Sequence, residues 1–468
     1  MKPLQRTALR LGMLAATASL SACIDLAPSY QRPEPPLAAD WPGGAARVTS
    51  PVSDVAGLGW RGFIQDDRLR KTIELAMADS RDLRIALARV DSARAQYRVR
   101  EASREPTLAA GASLSRARIA GAAGNSARLS VDLPAWEIDL FGRLKNASGA
   151  ALHDYLATAE GARSARMAVV ADVALAWLRL AADAQTLRLD ERTLAANETS
   201  LGLNRRMHEL GAIRALPVIQ AQAARDATLG AIAAGRAVLL LDRDGLDLVV
   251  GRPVPAELLP LDAFPATSAA LVEVPAGLPA RMLQDRPDVL ASEHQLQAAQ
   301  LEIGLARAAF FPSIALTGNA GTASASLAGL FRAGSGSWSV GPSISLTFLD
   351  GGALDAGVAY ASSQRDIARA SYEKTIQAAF AEVANALAVR ATLAQRQAAQ
   401  QAQCQASESA LRLAEALYRH GGGAYLDVLD AQRTLYAAQQ AGIALDLDEQ
   451  QNRIALYKAL GGGWEESN

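Results

Sequence analysis

The sequence predicts a mainly helical chain with a membrane β-barrel contribution: four β-strands and long antiparallel helices per chain. Three observations carry that expectation. Half of the 468 residues are hydrophobic but only 5% are aromatic, so the apolar half is largely alanine and other small, helix-favouring side chains. Short segments of strict period-two alternation interrupt the helical stretches. The whole arrangement of helix, proline, strand pair and broken long helix is written twice.

The repeat fixes the order of the elements. At an offset of 210, Val173 falls on Val383, Val218 on Val428, Ala221-Gln222 on Ala431-Gln432 and Gly251 on Gly461. At an offset of 206, Asp82 meets Asp288, Ala93 meets Ala299 and Pro106 meets Pro312. The offset changes between Pro106 and Gly142, which places a loop of different length there. The resulting division is residues 61–260 for the first repeat, with a β-hairpin at 107–140 and long helices at 143–250. The second repeat takes residues 261–468, with a helix at 279–311, a β-hairpin at 312–349, long helices at 352–460 and a short C-terminal tail.

The strands are read from alternation. Val340, Pro342, Ile344, Leu346 and Phe348 alternate with Gly341, Ser343, Ser345 and Thr347. One face is apolar and the other small and polar, over about the length of a tilted strand crossing a bilayer. Leu129, Val131 and Leu133 against Ser130 and Asp132 repeat the pattern. The leading strands follow Pro106 and Pro312, and the segments 119–127 and 320–337, rich in Gly, Ala and Ser, read as loops. Trp136 and Trp338 fall at or near strand ends, where interfacial aromatic belts sit. Open strand edges are not tolerated in lipid and the smallest barrels have eight strands, so such a chain must oligomerise. Two copies give eight strands and three give twelve. Only the larger ring leaves an aqueous lumen, which favours a trimer.

The helices are read from stripes. Arg143 to Leu210 contains no proline, and a continuous helix there would reach about 100 Å. Met167, Val170, Ala174 and Trp177 mark one apolar stripe, and Ile376, Phe380, Val383 and Leu387 another. Breaks at Leu210-Gly211 and Gly421-Gly422-Gly423 match at the 210 offset, where antiparallel helices turn round.

At the N-terminus, Lys2, Arg6 and Arg10 precede the short apolar run Leu11–Leu20, a pattern of export signals, assigned to residues 1–22. It ends in Leu20-Ser21-Ala22-Cys23, which resembles the lipobox of bacterial lipoproteins. That resemblance implies cleavage before Cys23, covalent lipid (a diacylglycerol thioether and an acyl group such as palmitate) on that residue, and outer-membrane lipid as a partner. Residues 23–60, with six prolines between Pro28 and Pro51, read as a lipid-anchored tether. No later run approaches the apolar length of a spanning helix.

Several function classes are disfavoured. A net charge of −1 gives no reason to expect nucleic acid. Four His and two Cys leave little room for a dedicated zinc or iron–sulfur site, so no metal and no cofactor beyond the lipid is expected. No catalytic residue is expected either: His208-Glu209 lacks the second His of a zincin, Asp242-Arg243-Asp244-Gly245 does not keep calcium-loop spacing, and Ser335 between Gly334 and Gly336 forms no nucleophile elbow.

From Cys23 almost to the C-terminus the chain resembles the TolC/OprM-like outer-membrane channels of tripartite efflux systems, in their NodT-type lipoprotein branch. The resemblance is carried by Leu278-Pro279 with Asp285-Arg286-Pro287-Asp288, by Ile303-Gly304 and the run Ala308-Ala309-Phe310-Phe311-Pro312, and by Gly341-Pro342-Ser343-Ile344. It continues in Asp350-Gly351-Gly352, Ala379-Phe380-Ala381-Glu382-Val383 and Tyr425-Leu426-Asp427-Val428-Leu429-Asp430-Ala431-Gln432. It implies a homotrimer with a twelve-strand β-barrel and a twelve-helix periplasmic tunnel, a periplasmic adaptor and an inner-membrane pump of the RND type as partners, and drugs, detergents or other small toxic molecules as cargo. The chain would hydrolyse nothing. The resemblance also implies a periplasmic gate at Leu426 and Asp430, with Asp427 beside them, and a latch formed by Arg390, Tyr418, Arg419 and Asp183. The first turn departs from the pattern, with Pro217 and Gln220 where the second has Asp427 and Asp430. The competing reading is a lipid-anchored periplasmic coiled-coil scaffold without a lumen, which leaves the paired period-two hairpins unexplained.

Overall fold

The computed structural model describes residues 24–34, 59–119, 122–261, 271–272 and 280–462. The signal segment, Cys23 and Leu278-Pro279 lie outside the described residues. In order the elements are α1 (Trp60–Phe63), α2 (Asp67–Asp79), α3 (Arg81–Ala102), β1 (Ala109–Ile119), β2 (Ala122–Glu137), α4 (Arg143–Glu209), α5 (Ala215–Val250), α6 (Pro287–Ala308), β3 (Ser313–Ser324), β4 (Gly336–Ser345), α7 (Ala353–Arg419) and α8 (Tyr425–Ala459). No described helix is long and apolar enough to cross a membrane.

The chain divides into two compact units. One comprises Met1–Pro35, Ala88–Glu160 and Leu290–Lys374. It contains a single antiparallel sheet in the order β1-β2-β3-β4, joined through Ala112↔Leu129, Leu129↔Thr322, Leu316↔Pro342 and the pairs around them. Opposed residues share a face, so this register assigns every side chain. One face carries Leu114, Leu129, Val131, Leu133, Ile314, Leu316, Trp338, Val340 and Ile344. The other carries Ser113, Ser115, Ser130, Asp132, Ser313, Thr317, Asn319 and the serines of β4. Leu114, Val131, Val340, Ile344 and Trp338 are exposed on the apolar face. Past the irregularity between Leu133 and Trp136, Trp136 stands beside Leu316 on that face, with its indole donating to the Arg104 carbonyl at 2.9 Å.

The strands are longer than their alternation suggests. Most of segment 119–127, expected as a loop, is strand, and β3 runs to Ser324 while β4 starts at Gly336. Ala, Gly and Ser complete a ladder of backbone bonds without adding apolar period, so composition hid the strand ends. Conversely, the period-two run to Phe348 outlasts β4, which stops at Ser345 opposite the start of β3.

The N-terminal strap in this unit is extended and tied down. The Ile24 N–H donates to the Leu140 carbonyl at 3.2 Å. Asp25 accepts from Lys145 at 2.8 Å and Asn146 at 3.1 Å. Gln300 donates to the carbonyls of Pro28 and Ser29. Arg32 and Tyr30 both donate to the buried Glu293 carboxylate; burial pushes that carboxyl up, but these hydrogen bonds outweigh it and hold it below the ordinary range. Gly304 makes the seat: a Cβ there would stand 2.6 Å from the Asn146 amide and 2.7 Å from the Ala27 nitrogen.

The other unit comprises Pro36–Leu87, Gly161–Val289 and Thr375–Asn468. Its core is aromatic where the helices are not. Phe63 stacks on Tyr457 with centroids 3.9 Å apart, and the buried Trp177 donates to the Leu258 carbonyl at 2.9 Å. Asp66 caps α2 by accepting from the N–H groups of Arg68 and Leu69. Both helical stripes are inside: Met167, Val170, Ala174 and Trp177 are buried, as are Ile376, Val383 and Leu387. The buried Arg286 explains the Asp-Arg-Pro-Asp motif. It donates to Asp288 at 2.7 Å and to the Ala459 carbonyl at 2.7 Å, and pairs with Glu382 at 2.9 Å. The start of α6, the middle of α7 and the end of α8 are thereby tied at one guanidinium.

Candidate periplasmic gate

The residues expected as a gate lie at the second helical turn, between α7 and α8, with the first turn, between α4 and α5, packed beside it. Leu201, Ala221, Tyr418, Tyr425, Val428 and Leu429 form a buried cluster, with Met207, Val218 and Leu411 against it. The rings of Tyr418 and Tyr425 lie 5.4 Å apart and tilted. Each phenol is tied to α4: Tyr418 donates to the Asn204 side-chain carbonyl, and Ser200 donates to the Tyr425 oxygen at 3.2 Å. Burial and the neighbouring phenol push Tyr418 above its ordinary range, so its hydroxyl stays a proton donor at any physiological pH.

Both turns close the same way. Gly211 and Gly421 take positive φ of 72° and 74°. The next residues, Ala212 and Gly422, donate back to Met207 and Leu417 at 2.8 and 2.9 Å. This is the bond pattern of a Schellman helix end, which needs glycine at the left-handed position.

Leu426 and Asp430 lie on one face of α8, one turn apart, and both are exposed, Leu426 at 58%. Asp427 is otherwise engaged: its carboxylate accepts from the Ala424 N–H at 3.2 Å and closes the start of α8. Of the four residues expected as a latch, only Tyr418 and Arg419 are in this region. Tyr418 is buried against Asn204, while Arg419 is exposed with its Nε donating to the Glu415 carbonyl of its own helix at 3.2 Å. Arg390 sits 28 positions earlier on α7, about 42 Å away at 1.5 Å per residue. It lines a separate cavity of about 280 Å³ with Gln397, Glu449 and Arg453.

Asp183 is also elsewhere, 21 positions before Asn204 on α4, about 31 Å along the helix. Its neighbours are Asp242 on α5 and Arg179, whose Nε is 3.8 Å from Asp183 and 3.4 Å from Asp242. Burial, then a hydrogen bond with Asp242 and its charge, raise Asp183 from 3.8 to about 6, with Arg179 opposing. The four residues therefore do not form one latch within a chain. The family resemblance assigned them by motif and could not measure distances along helices this long. Asn204 and Ser200, the actual partners of Tyr418 and Tyr425, went unnoticed; their signal is two polar residues four apart on the buried side of an apolar helix.

The described geometry offers a two-faced four-stranded sheet, a bundle of long helices and a pair of closed turns, which together define an outer-membrane channel protein. The chain matches the outer membrane efflux protein family over residues 72–252 and 278–462 and belongs to it. It is 42% identical over 466 residues to the probable efflux pump outer membrane protein TtgC of Pseudomonas putida, covering 97% of this chain and 95% of that one. It is 39% identical over 479 residues to the outer membrane protein OprJ of Pseudomonas aeruginosa, covering 99% and 98%. Its structure resembles the open state of the Neisseria gonorrhoeae MtrE outer membrane channel with a TM-score of 0.86 at 34% identity, over 94% of this chain and 99% of that one. The protein is an outer-membrane efflux channel, a transporter in the outer membrane.

Proposed function

We propose that three copies of this chain form the exit duct of a tripartite efflux system, held by lipid on Cys23 and closed at the periplasmic turn by rings of Leu426 and Asp430. The observation that carries the reading is the sheet, mainly apolar on one face except for Arg116, Arg118 and Asn125 near the β1–β2 turn, and mostly small and polar on the other, with β1 and β4 unpaired along their outer edges. In lipid such edges must be covered by further strands, and four strands per chain become twelve with three copies, enough for a wet lumen. Serines, Asn319 and Asp132 would then line the water and Leu, Val, Ile and Trp the lipid.

At the turn, three Leu426 side chains would make an apolar constriction that resists wetting. Three Asp430 carboxylates one turn away would favour cations. Tyr418 holds the second hairpin against α4 from within the chain, and Arg419, exposed beside it, would contact a neighbouring copy. Energy would come from an inner-membrane pump of the RND type through a periplasmic adaptor. The cargo would be organic: TtgC and its relatives carry names of toluene and antibiotic efflux pumps, and toxic solvents, drugs and detergents are the class proposed here.

Single-channel conductance of the lipidated protein in planar bilayers tests the reading. Small, flickering currents are expected from the parent and larger, steady ones from the Leu426→Ser, Asp430→Ser double variant. Silence from both with insertion confirmed overturns the duct; equally large currents from both leave the duct and remove the gate from these residues.

A further inference from the structure

The chain has only four histidines, and two of them meet. His153 on α4 and His294 on α6 are 141 positions apart, yet their Nδ1 atoms lie 3.2 Å from each other. The rings are tilted with centroids 5.4 Å apart, and both residues are half-buried. One element comes from the first repeat and the other from the second, so no sequence spacing announces the pair.

Two neutral imidazoles so placed share one proton, one Nδ1–H donating to the other Nδ1. The same separation suits a metal. Zinc–imidazole bonds of about 2.0–2.1 Å meeting at a tetrahedral angle put the two nitrogens about 3.3 Å apart. A linear two-coordinate ion would need about 4 Å. We propose that His153 and His294 are a two-histidine site for a divalent late transition metal (zinc, nickel or copper(II)) that cross-links α4 to α6. On binding, the ring that holds the shared Nδ1 proton gives it up to water and takes a proton at Nε2, so both rings stay neutral and both Nδ1 lone pairs turn to the ion.

The surroundings define how such a site behaves. Glu293, the carboxylate next to His294 in sequence, is already occupied by Arg32 and Tyr30, so it supplies no third bond. Among the described residues no group of three or more His, Cys, Asp or Glu side chains gathers around a common point. Water therefore completes the coordination, and the ion exchanges rather than being a permanent structural part. With imidazole as the sole protein donor, calcium and magnesium are disfavoured and copper(II) binds ahead of zinc and nickel.

The test uses the mature lipidated protein in detergent, free of any polyhistidine tag and stripped with chelator. Copper(II) is titrated and followed by binding stoichiometry and electron paramagnetic resonance, with zinc as competitor. One ion per chain is expected, with hyperfine coupling from two imidazole nitrogens that changes when histidine is labelled with nitrogen-15. His153→Gln and His294→Gln should each weaken binding about tenfold or more and abolish the two-nitrogen signal. The His208→Gln, His420→Gln double variant, at the two helical turns, should leave both readouts unchanged. No binding by the parent at millimolar free ion overturns the proposal. So does a two-nitrogen signal that survives either single variant, or one lost in the turn double variant. The nitrogen-15 experiment on the parent stands even where a substitution disturbs folding.

Discussion

The two helical turns have the same backbone and different chemistry. Each ends its long helix with a left-handed glycine and the same backward bond. At the shared offset, however, His208 stands for Tyr418, Ala215 for Tyr425, Pro217 for Asp427, Ile219 for Leu429 and Gln220 for Asp430. Leu429 is 5% exposed and Ile219 63%. Between residues 205 and 220 the first turn sets Arg205, Arg206 and Arg214 against Glu209, while the second sets Arg419 against Glu415, Asp427 and Asp430. One turn is basic with its apolar groups outside; the other is acidic with its rings inside. A duplicated unit has kept the bond pattern that closes a helix and has divided the labour between its copies. The second turn holds itself against α4, while the first keeps exposed Leu210, Leu216 and Ile219.

Equivalent substitutions in the two turns must therefore have unequal effects. The largest contrast concerns conductance. Leu216→Ser with Gln220→Ser, the counterpart of the gate double variant, should leave planar-bilayer currents within about twofold of the parent. An opening as large as that of the Leu426, Asp430 variant would show that the two turns close the lumen together. Stability gives the next contrast. Tyr425→Ala removes a buried ring from the cluster and should cost about 3 kcal/mol or more. Tyr418→Phe leaves the Asn204 carbonyl without its phenol and should cost about 1–2 kcal/mol. His208→Phe, on an exposed site, should stay within about 0.5 kcal/mol by chemical denaturation.

Much of this was legible in the sequence because alternation, stripes and internal repetition are local signals. Val340 to Ile344 announced a two-faced strand, and Gly211 and Gly421 announced the turns. What stayed hidden depends on separations that sequence does not encode. The Ala, Gly and Ser ends of β2 and β3 carry no apolar period, so their pairing could not be read. Arg390 and Asp183 lie tens of ångströms along their helices from the level of Tyr418, a distance invisible until residues are counted along a continuous rise. Arg286 was visible as a motif, but its bonds to Glu382 and Ala459 are long-range.

A smaller contrast is titratable. Asp183 and Asp242 correspond at the same offset to Leu393 and Asn452, so the second hairpin carries no carboxyl pair at these positions. Asp183 is raised from 3.8 to about 6, so the folded chain holds more protons than the unfolded one between these values. Its contribution to stability is full below about pH 4 and is lost as pH rises through about 6. The full shift corresponds to about 3 kcal/mol, which partial exposure reduces to about 1. Asp183→Asn should flatten that part of the melting profile between pH 4 and 7 and raise stability at neutral pH. A profile unchanged by Asp183→Asn would remove the pair as its source. Leu393→Asn, in the second hairpin, should leave the slope as it is.

The smallest contrast lies at the helix starts, and it asks whether the first turn lost something or exchanged it. Asp427, third in α8, accepts from the Ala424 N–H and satisfies one of the donors a helix start leaves open. Pro217, third in α5, cannot do this, and Arg214 makes no side-chain cap. Proline nevertheless fits there: its missing N–H would have had no partner within the helix, and its fixed φ matches the first turn. Asp427→Ala should therefore cost about 0.5–1 kcal/mol. Pro217→Asp should come out near neutral in urea unfolding, because the cap gained is offset by the backbone freedom the unfolded chain recovers. A gain of about 1 kcal/mol from Pro217→Asp would mean that the first turn gave up stability for its surface, and the exposed leucines beside it would then be the reason to look for.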